Sequence, residues 1–324
     1  MSHENSSTRA VVAALGANLL IALLKFVAAF VTGSVATLAE AVHSVADTGN
    51  QGLLLVGDRL GKRGPTEKHP FGRAVERYFW PFVVSILLFS VGGLFAVYEG
   101  VHKLTGHDAA SAHTHHASNL WNYVVLGASF LLESYSCTVA MRAFRKQRGS
   151  MGFFEALNHA KDPTIPVVLL EDLGALLGLT IALTGIFLAD LTGWGGWDGL
   201  GSLLIGVLLC FVAVFLSRKT HSLLVGESAS AEERGKIKQV TEATPGVMRL
   251  VQLLSVYRGP DDVLIALKVA FDRGMPVERV EETIDLIEEQ IRGFYPQAKW
   301  IFIEPDAKYD ARQDDRPLGS LMPD

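Results

Sequence analysis

The chain has 324 residues, of which 49% are hydrophobic and 19% charged. With a mean hydropathy of +0.27 it is too apolar for an ordinary soluble domain. The net charge is −5 and only two cysteines occur, so the sequence excludes a basic nucleic-acid binder and a disulfide-stapled fold.

Six apolar runs are long enough to cross a bilayer, which takes about 20 residues. They cover roughly 9–31, 34–57, 77–104, 119–144, 162–188 and 198–217. The first is too long for the apolar region of a signal peptide, and MSHENSSTRA offers no cleavage site, so it reads as a retained helix. Cys137 and Cys210 fall inside predicted spans and read as packing residues.

The loops set the orientation. The connection after the second run carries Arg59, Lys62, Arg63, Lys68, Arg73 and Arg77, and the one after the fourth carries Arg142, Arg145, Lys146, Arg148 and Lys161. Arg218 and Lys219 follow the sixth, and the other three loops hold no Lys or Arg. By the positive-inside rule both termini are expected on the cytoplasmic side. Thr32-Gly33-Ser34 and the stretch Gly193 to Trp197 read as tight outer turns, with Trp194 and Trp197 as interface anchors.

From Glu227 onward the composition turns charged, with 13 Lys and Arg against 19 Asp and Glu. Ala231–Glu242 reads as a helix, Arg249–Tyr257 and Val263–Phe271 as strands, Val277–Phe294 as a helix and Lys299–Glu304 as a last strand. The expected fold is a membrane α-helical domain with six transmembrane helices, followed by a small cytoplasmic α+β (αββαβ) domain. The expected divisions are 1–226, 227–306 and a disordered tail over 307–324.

Ionisable groups deep in a spanning helix cost about 2.5–3.5 kcal/mol each by insertion scales and are functional candidates. The second run carries Glu40, His43, Asp47 and Asn50. His43 and Asp47 are four apart, so they lie one turn apart on one face and can hold a divalent ion from one side. The fifth run carries Glu171 and Asp172 at a similar depth. One imidazole with two or three carboxylates suits Zn²⁺, with Mn²⁺, Fe²⁺, Co²⁺ and Ni²⁺ as rivals. Interhelical hydrogen bonding alone is the plainer alternative. Glu133, in the fourth run, stays open between an interhelical bond, a proton carrier and an accessory ligand. Ligands shed protons to bind metal, so exchange of protons for metal is a natural coupling.

Three features together resemble the cation diffusion facilitator family, in its zinc-transporter type. They are the stretch Ala39 to Asn50, the loop His69-Pro-Phe-Gly72 with Glu76 after it, and the layout of six helices plus αββαβ. Asp162 to Asp172 and His43 to Gln51 look like the branch containing the animal mitochondrial zinc exporter. The resemblance implies a homodimer in the lipid bilayer, alternating access, and divalent metal export driven by protons. It implies a metal site from His43, Asp47 and Asp172. The remaining family position falls on Val168, which cannot bind metal, and Glu171 or water would complete the site. Zn²⁺ is then a transported substrate, and no organic cofactor is implied.

His69 is the one histidine left in the loop where many members bind metal, and no histidine follows His221, so no metal is expected in the tail domain. His107, His113, His115 and His116 lie in an outer loop, either gathering metal at the exit side or present by chance. Glu40 and Asn50 flank the pair on the second helix and read as exit and access guides. The brevity of the chain suggests a bacterial inner membrane. A membrane metal sensor without transport is the competing function. An intramembrane metalloenzyme is disfavoured, because no HExxH-like arrangement occurs.

Overall fold

The computed structural model describes residues 2–32, 35–105, 119–194 and 196–306. They belong to two units, Met1–His221 and Ser222–Asp324.

The first unit is helical. Its helices are α1 (Ser2–Thr32), α2 (Val35–Gly61), α3 (Glu76–Leu87), α4 (Phe95–Thr105), α5 (Asn119–Arg148), α6 (Phe153–His159), α7 (Thr164–Thr192) and α8 (Gly196–Val225). A π-helical segment, Leu88–Leu94, joins α3 to α4, so residues 76–105 form one span. Five of the six long helices are apolar enough to cross a membrane by length and composition. Among the described residues α2 does not reach that mark, its apolar run being broken by Asp47, Asn50, Gln51, Asp58 and Arg59. Several helices run past the apolar runs at their C-terminal ends, α2 to Gly61, α5 to Arg148, α7 to Thr192 and α8 to Val225, while α7 begins two residues later than its run. Absent from the sequence reading was α6, a two-turn helix inside the basic loop. Its N-terminus is closed by Glu155, which accepts from the Gly152 backbone N–H at 3.2 Å.

α1 lies against α2, α5 and α7, while α5 also packs on α7 and α2 on α3. The buried core joins Ala10 and Ala14 of α1, Leu54 of α2, Ala140 and Phe144 of α5 and Ile165 to Leu169 of α7. Small residues on α1 let its neighbours approach closely. The third span meets α8 backbone to backbone. A Cβ placed on Gly206 would come within 2.5 Å of the Val97 nitrogen, and one on Gly100 within 2.5 Å of the Leu203 nitrogen. Gly174 and Gly178 face α8 as well, in ordinary contact with Leu209 and Ile205.

The π-helical segment has local causes. Pro81 removes a backbone donor from α3, the Ser90 hydroxyl donates to the Ile86 carbonyl at 2.9 Å, and Gly92-Gly93 holds the α-helix least. The loop from Lys62 to Val75 is tied by the His69 carbonyl, which accepts from the Thr66 and Gly72 N–H groups. Gly72 there adopts φ +78°, a conformation that glycine takes without strain. Trp194 and Trp197 stack edge to face at 5.4 Å, and the Trp197 indole N–H donates to Thr192 Oγ1. Both cysteines are free thiols.

The second unit holds α9 (Ala231–Ala243), β1 (Val247–Gly259), β2 (Asp262–Phe271), α10 (Val277–Phe294) and β3 (Ala298–Pro305). The order is αββαβ, as the sequence predicts. β1 pairs antiparallel with β2, and β2 parallel with β3, so α10 is the crossover helix. Alternation along β2 buries Val263, Ile265, Leu267 and Val269 on one face, where Ile237 of α9 and Ile287 and Ile291 of α10 complete the core. Ser230 caps α9 by accepting from the Glu233 N–H while Glu233 accepts from the Ser230 N–H.

Candidate metal centre

Polar groups from three helices converge inside the helical unit. α7 carries Glu171 and Asp172, both buried. From α2, Gln51 Nε2 donates to Glu171 Oε2 at 2.6 Å and Asn50 Nδ2 donates to Glu171 Oε1 at 3.3 Å. From α5, Ser136 Oγ donates to Asp172 Oδ2 at 2.7 Å. Asp47, Asn50 and Gln51 are spaced i, i+3 and i+4, so one face of α2 presents all three.

Asp47 is half-buried and lines a cavity of about 270 Å³ between α2 and the third span. Gly49 and Asn50 of α2 and Leu88, Val91 and Gly92 of the π-helical segment form its other walls. A hydrated cation fits such a volume, and Asp47 gives it a charged wall. The π-turn therefore sits at the acidic residue, as π-turns often do at functional sites.

Glu133 of α5 is buried in the same neighbourhood. Asp172 and Asp47 act on it as like charges, and Asp47, Asp172 and Glu133 all act on Glu171. Lys25 of α1 is the opposing cation acting on Glu133. Four carboxylates concentrated in an apolar surround suit a divalent cation better than any neutral cargo.

The sequence placed Glu171 level with Asp47. The structure instead sets Glu171 against Asn50 and Gln51, about one helical turn nearer the C-terminal end of α2. Asp172 faces α5. Val168 is fully buried in the apolar core. Among the described residues, no three His, Cys, Asp or Glu side chains form a group that could hold a metal ion. The side chains of His43 and Glu40 lie outside the described residues, as do His107, His113, His115 and His116. His69 belongs to the loop before α3. Gln51, Ser136 and Lys25 were not singled out in the sequence. Gln51 carried the one available signal, an amide four residues after Asp47.

At the α7 N-terminus a second polar cluster joins α1, α2, α3 and α7. Arg77 of α3 reaches Asp58 of α2 at 3.5 Å and Asp162 at 3.6 Å. Asp162 accepts from Ser7 Oγ of α1 at 3.0 Å and from the Thr164 N–H at 3.0 Å, which caps α7. Glu76 accepts from Arg73 Nε at 3.1 Å and from the Trp80 indole at 2.9 Å, opening α3.

Residues 11–225 match the family described as cation efflux transmembrane domain, and residues 229–307 match the cation efflux protein, cytoplasmic domain. The chain belongs to the cation efflux family. It is 32% identical over 289 residues to the proton-coupled zinc antiporter SLC30A9, mitochondrial, of Xenopus laevis, covering 88% of this chain and 50% of that protein. Metal tolerance protein C4 of Arabidopsis thaliana is 31% identical over 278 residues, with 85% and 60% coverage. Magnetosome protein MamM of Paramagnetospirillum magneticum is 23% identical over 312 residues, with 95% and 91% coverage. The chain spans about half the length of the animal zinc antiporters it matches. This member of the cation efflux family is an integral membrane protein, with five spans evident from length and hydropathy and α2 alongside them.

Proposed function

We propose that this protein exports a divalent metal cation, Zn²⁺ foremost, in exchange for protons by alternating access. The observation that carries the reading is the convergence of Asp47, Glu171, Asp172 and Glu133 inside the membrane unit, beside a cavity that reaches Asp47. The similarity to proteins named proton-coupled zinc antiporters supports zinc and protons as the exchanged ions.

In this reading His43, Asp47 and Asp172 bind the ion and Glu171 supplies or steadies the remaining oxygen. Glu133 is an accessory carboxylate, and Asn50 shapes the approach through its bond to Glu171. Mn²⁺, Fe²⁺, Co²⁺ and Ni²⁺ compete for the same donor set. The protein works as a homodimer, and its chemistry is transport with no covalent turnover. The basic loops after α2 and α5 support cytoplasmic termini, and a bacterial inner membrane is the proposed location.

The test is Zn²⁺ flux into sealed proteoliposomes with an imposed pH gradient. Wild-type protein is expected to move zinc against the proton gradient, and Asp47→Ala and Asp172→Ala to move none. Flux in both variants at the wild-type rate would remove the site. Flux indifferent to the gradient would remove proton coupling.

A further inference from the structure

Gln51 is fully buried, and its two polar atoms have different fates. Its Nε2 donates to Glu171 Oε2 at 2.6 Å. Among the described residues its Oε1 has no hydrogen-bond partner, and it has almost no exposure. A buried amide carbonyl without a donor is uncommon, because it forgoes the water it would otherwise bind. A methionine of similar volume would fill the space with no acceptor left unmatched.

The placement makes that orphan acceptor informative. Gln51 shares the α2 face with Asp47, one turn away, and Asp47 lines the cavity. Asn50, the neighbour of Gln51, also lines the cavity while donating to the other Glu171 oxygen. Both Glu171 oxygens are thus held from α2, one by each amide.

We propose that Gln51 is a positioning residue of the transport site. Its amide nitrogen holds the Glu171 carboxylate, and its carbonyl oxygen accepts a hydrogen bond from water carried in with the cation. Glu171 is then fixed before the ion arrives, and the ion keeps part of its hydration on the protein's own oxygen. This rests on the reading of Asp47 and Asp172 as the transport site.

The experiment is Zn²⁺ uptake by full-length protein in proteoliposomes, with KM and maximal rate measured for wild type, Asp47→Ala, Gln51→Met and Gln51→Asn. Gln51→Met is expected to raise KM about tenfold, as loss of an outer-shell partner does, with the maximal rate per folded protein within about twofold. Gln51→Asn is one methylene too short to reach Glu171 and should raise KM similarly. A purely structural role would lower the yield of folded protein and leave KM unchanged.

Wild-type KM in Gln51→Met overturns the proposal. If that variant does not fold, wild-type KM in Gln51→Asn overturns it. Full transport by Asp47→Ala would sink the site itself. An inactive Asp47→Ala beside a Gln51→Met of wild-type KM would sink the Gln51 assignment alone.

Discussion

Polar side chains link α2 and the α7 region at two levels, and the two are built on opposite terms. At the α7 N-terminus, Asp58 and Asp162 meet the buried guanidinium of Arg77, with Lys62 on Asp58 at 2.6 Å. About one-third of the way along α7, Glu171 and Asp172 meet only amide and hydroxyl donors in their hydrogen bonds, from Asn50, Gln51 and Ser136. The first cluster supplies its own cations. The second is oriented by neutral donors, with Lys25 of α1 acting on it at Glu133. A site that must take up and release a cation needs the second arrangement, and a joint that must hold helices together needs the first.

The difference is broken most directly at Asp47. Asp47→Ala is expected to lower zinc transport by more than about 100-fold, beyond what loss of an outer-shell partner costs. Its melting temperature should stay close to wild type, since Asp47 is half-buried and lines a cavity, not the packed core. Flux and thermal melting on one preparation check both halves.

Arg77→Met should do the reverse. It leaves Asp58 and Asp162 without their shared guanidinium, and breaking a buried pair costs roughly 3–5 kcal/mol. Partial exposure of both carboxylates places the expected loss near the lower end, about 3 kcal/mol. Melting should fall by several degrees while the zinc KM of the folded fraction remains unchanged. A raised KM with normal melting would mean that the cluster is part of the transport path.

Ser136→Ala sharpens the comparison from α5. It removes the hydroxyl that donates to Asp172 Oδ2 and leaves charge untouched. A rise in zinc KM of roughly tenfold is expected, in the range for outer-shell partners of a metal ligand. Ser136→Thr retains the hydroxyl and should recover most of it.

The fold was legible wherever periodicity carried it. α10 runs Val277–Phe294 as predicted, because Val280, Ile284, Ile287 and Ile291 recur at helical spacing and Pro276 and Pro296 bracket the run. The αββαβ order followed from alternating segments separated by Pro-Gly and Gly-Pro turns. The π-helical segment was not legible, since an added residue per turn leaves no mark in a uniformly apolar stretch. Half of the candidate site was legible too: Asp47, Glu171 and Asp172 stand out as charges in apolar runs. Which residue faces which was not, because it depends on helix rotation and offset. Hence Glu171 meets Gln51, and Asp172 meets a serine that looked ordinary in sequence. The glycines of the third span and α8 show the same limit, since a glycine's role appears only with the helix it meets.

The mildest case lies in the second unit, where a buried polar pair carries no charge. Tyr295 OH donates to Tyr257 OH at 2.8 Å, and Tyr257 OH donates to Glu233 at 3.4 Å. Burial pushes the Tyr257 hydroxyl up to about 12 and raises Tyr295 as well. A group raised in the folded state contributes stability that is fully present below its unfolded value, about 10 for tyrosine, and is lost as pH climbs through the folded value. The wild-type unit should therefore weaken between about pH 10 and 12. Tyr295→Phe removes one hydroxyl and leaves Tyr257 its bond to Glu233, so the cost at neutral pH is about 1 kcal/mol. Amide hydrogen exchange along β2 of the full-length protein reads both effects. Faster exchange in the variant at neutral pH and a shallower alkaline loss are expected. If the two proteins lose protection identically across the alkaline range, the tyrosine pair is not what couples this unit to pH.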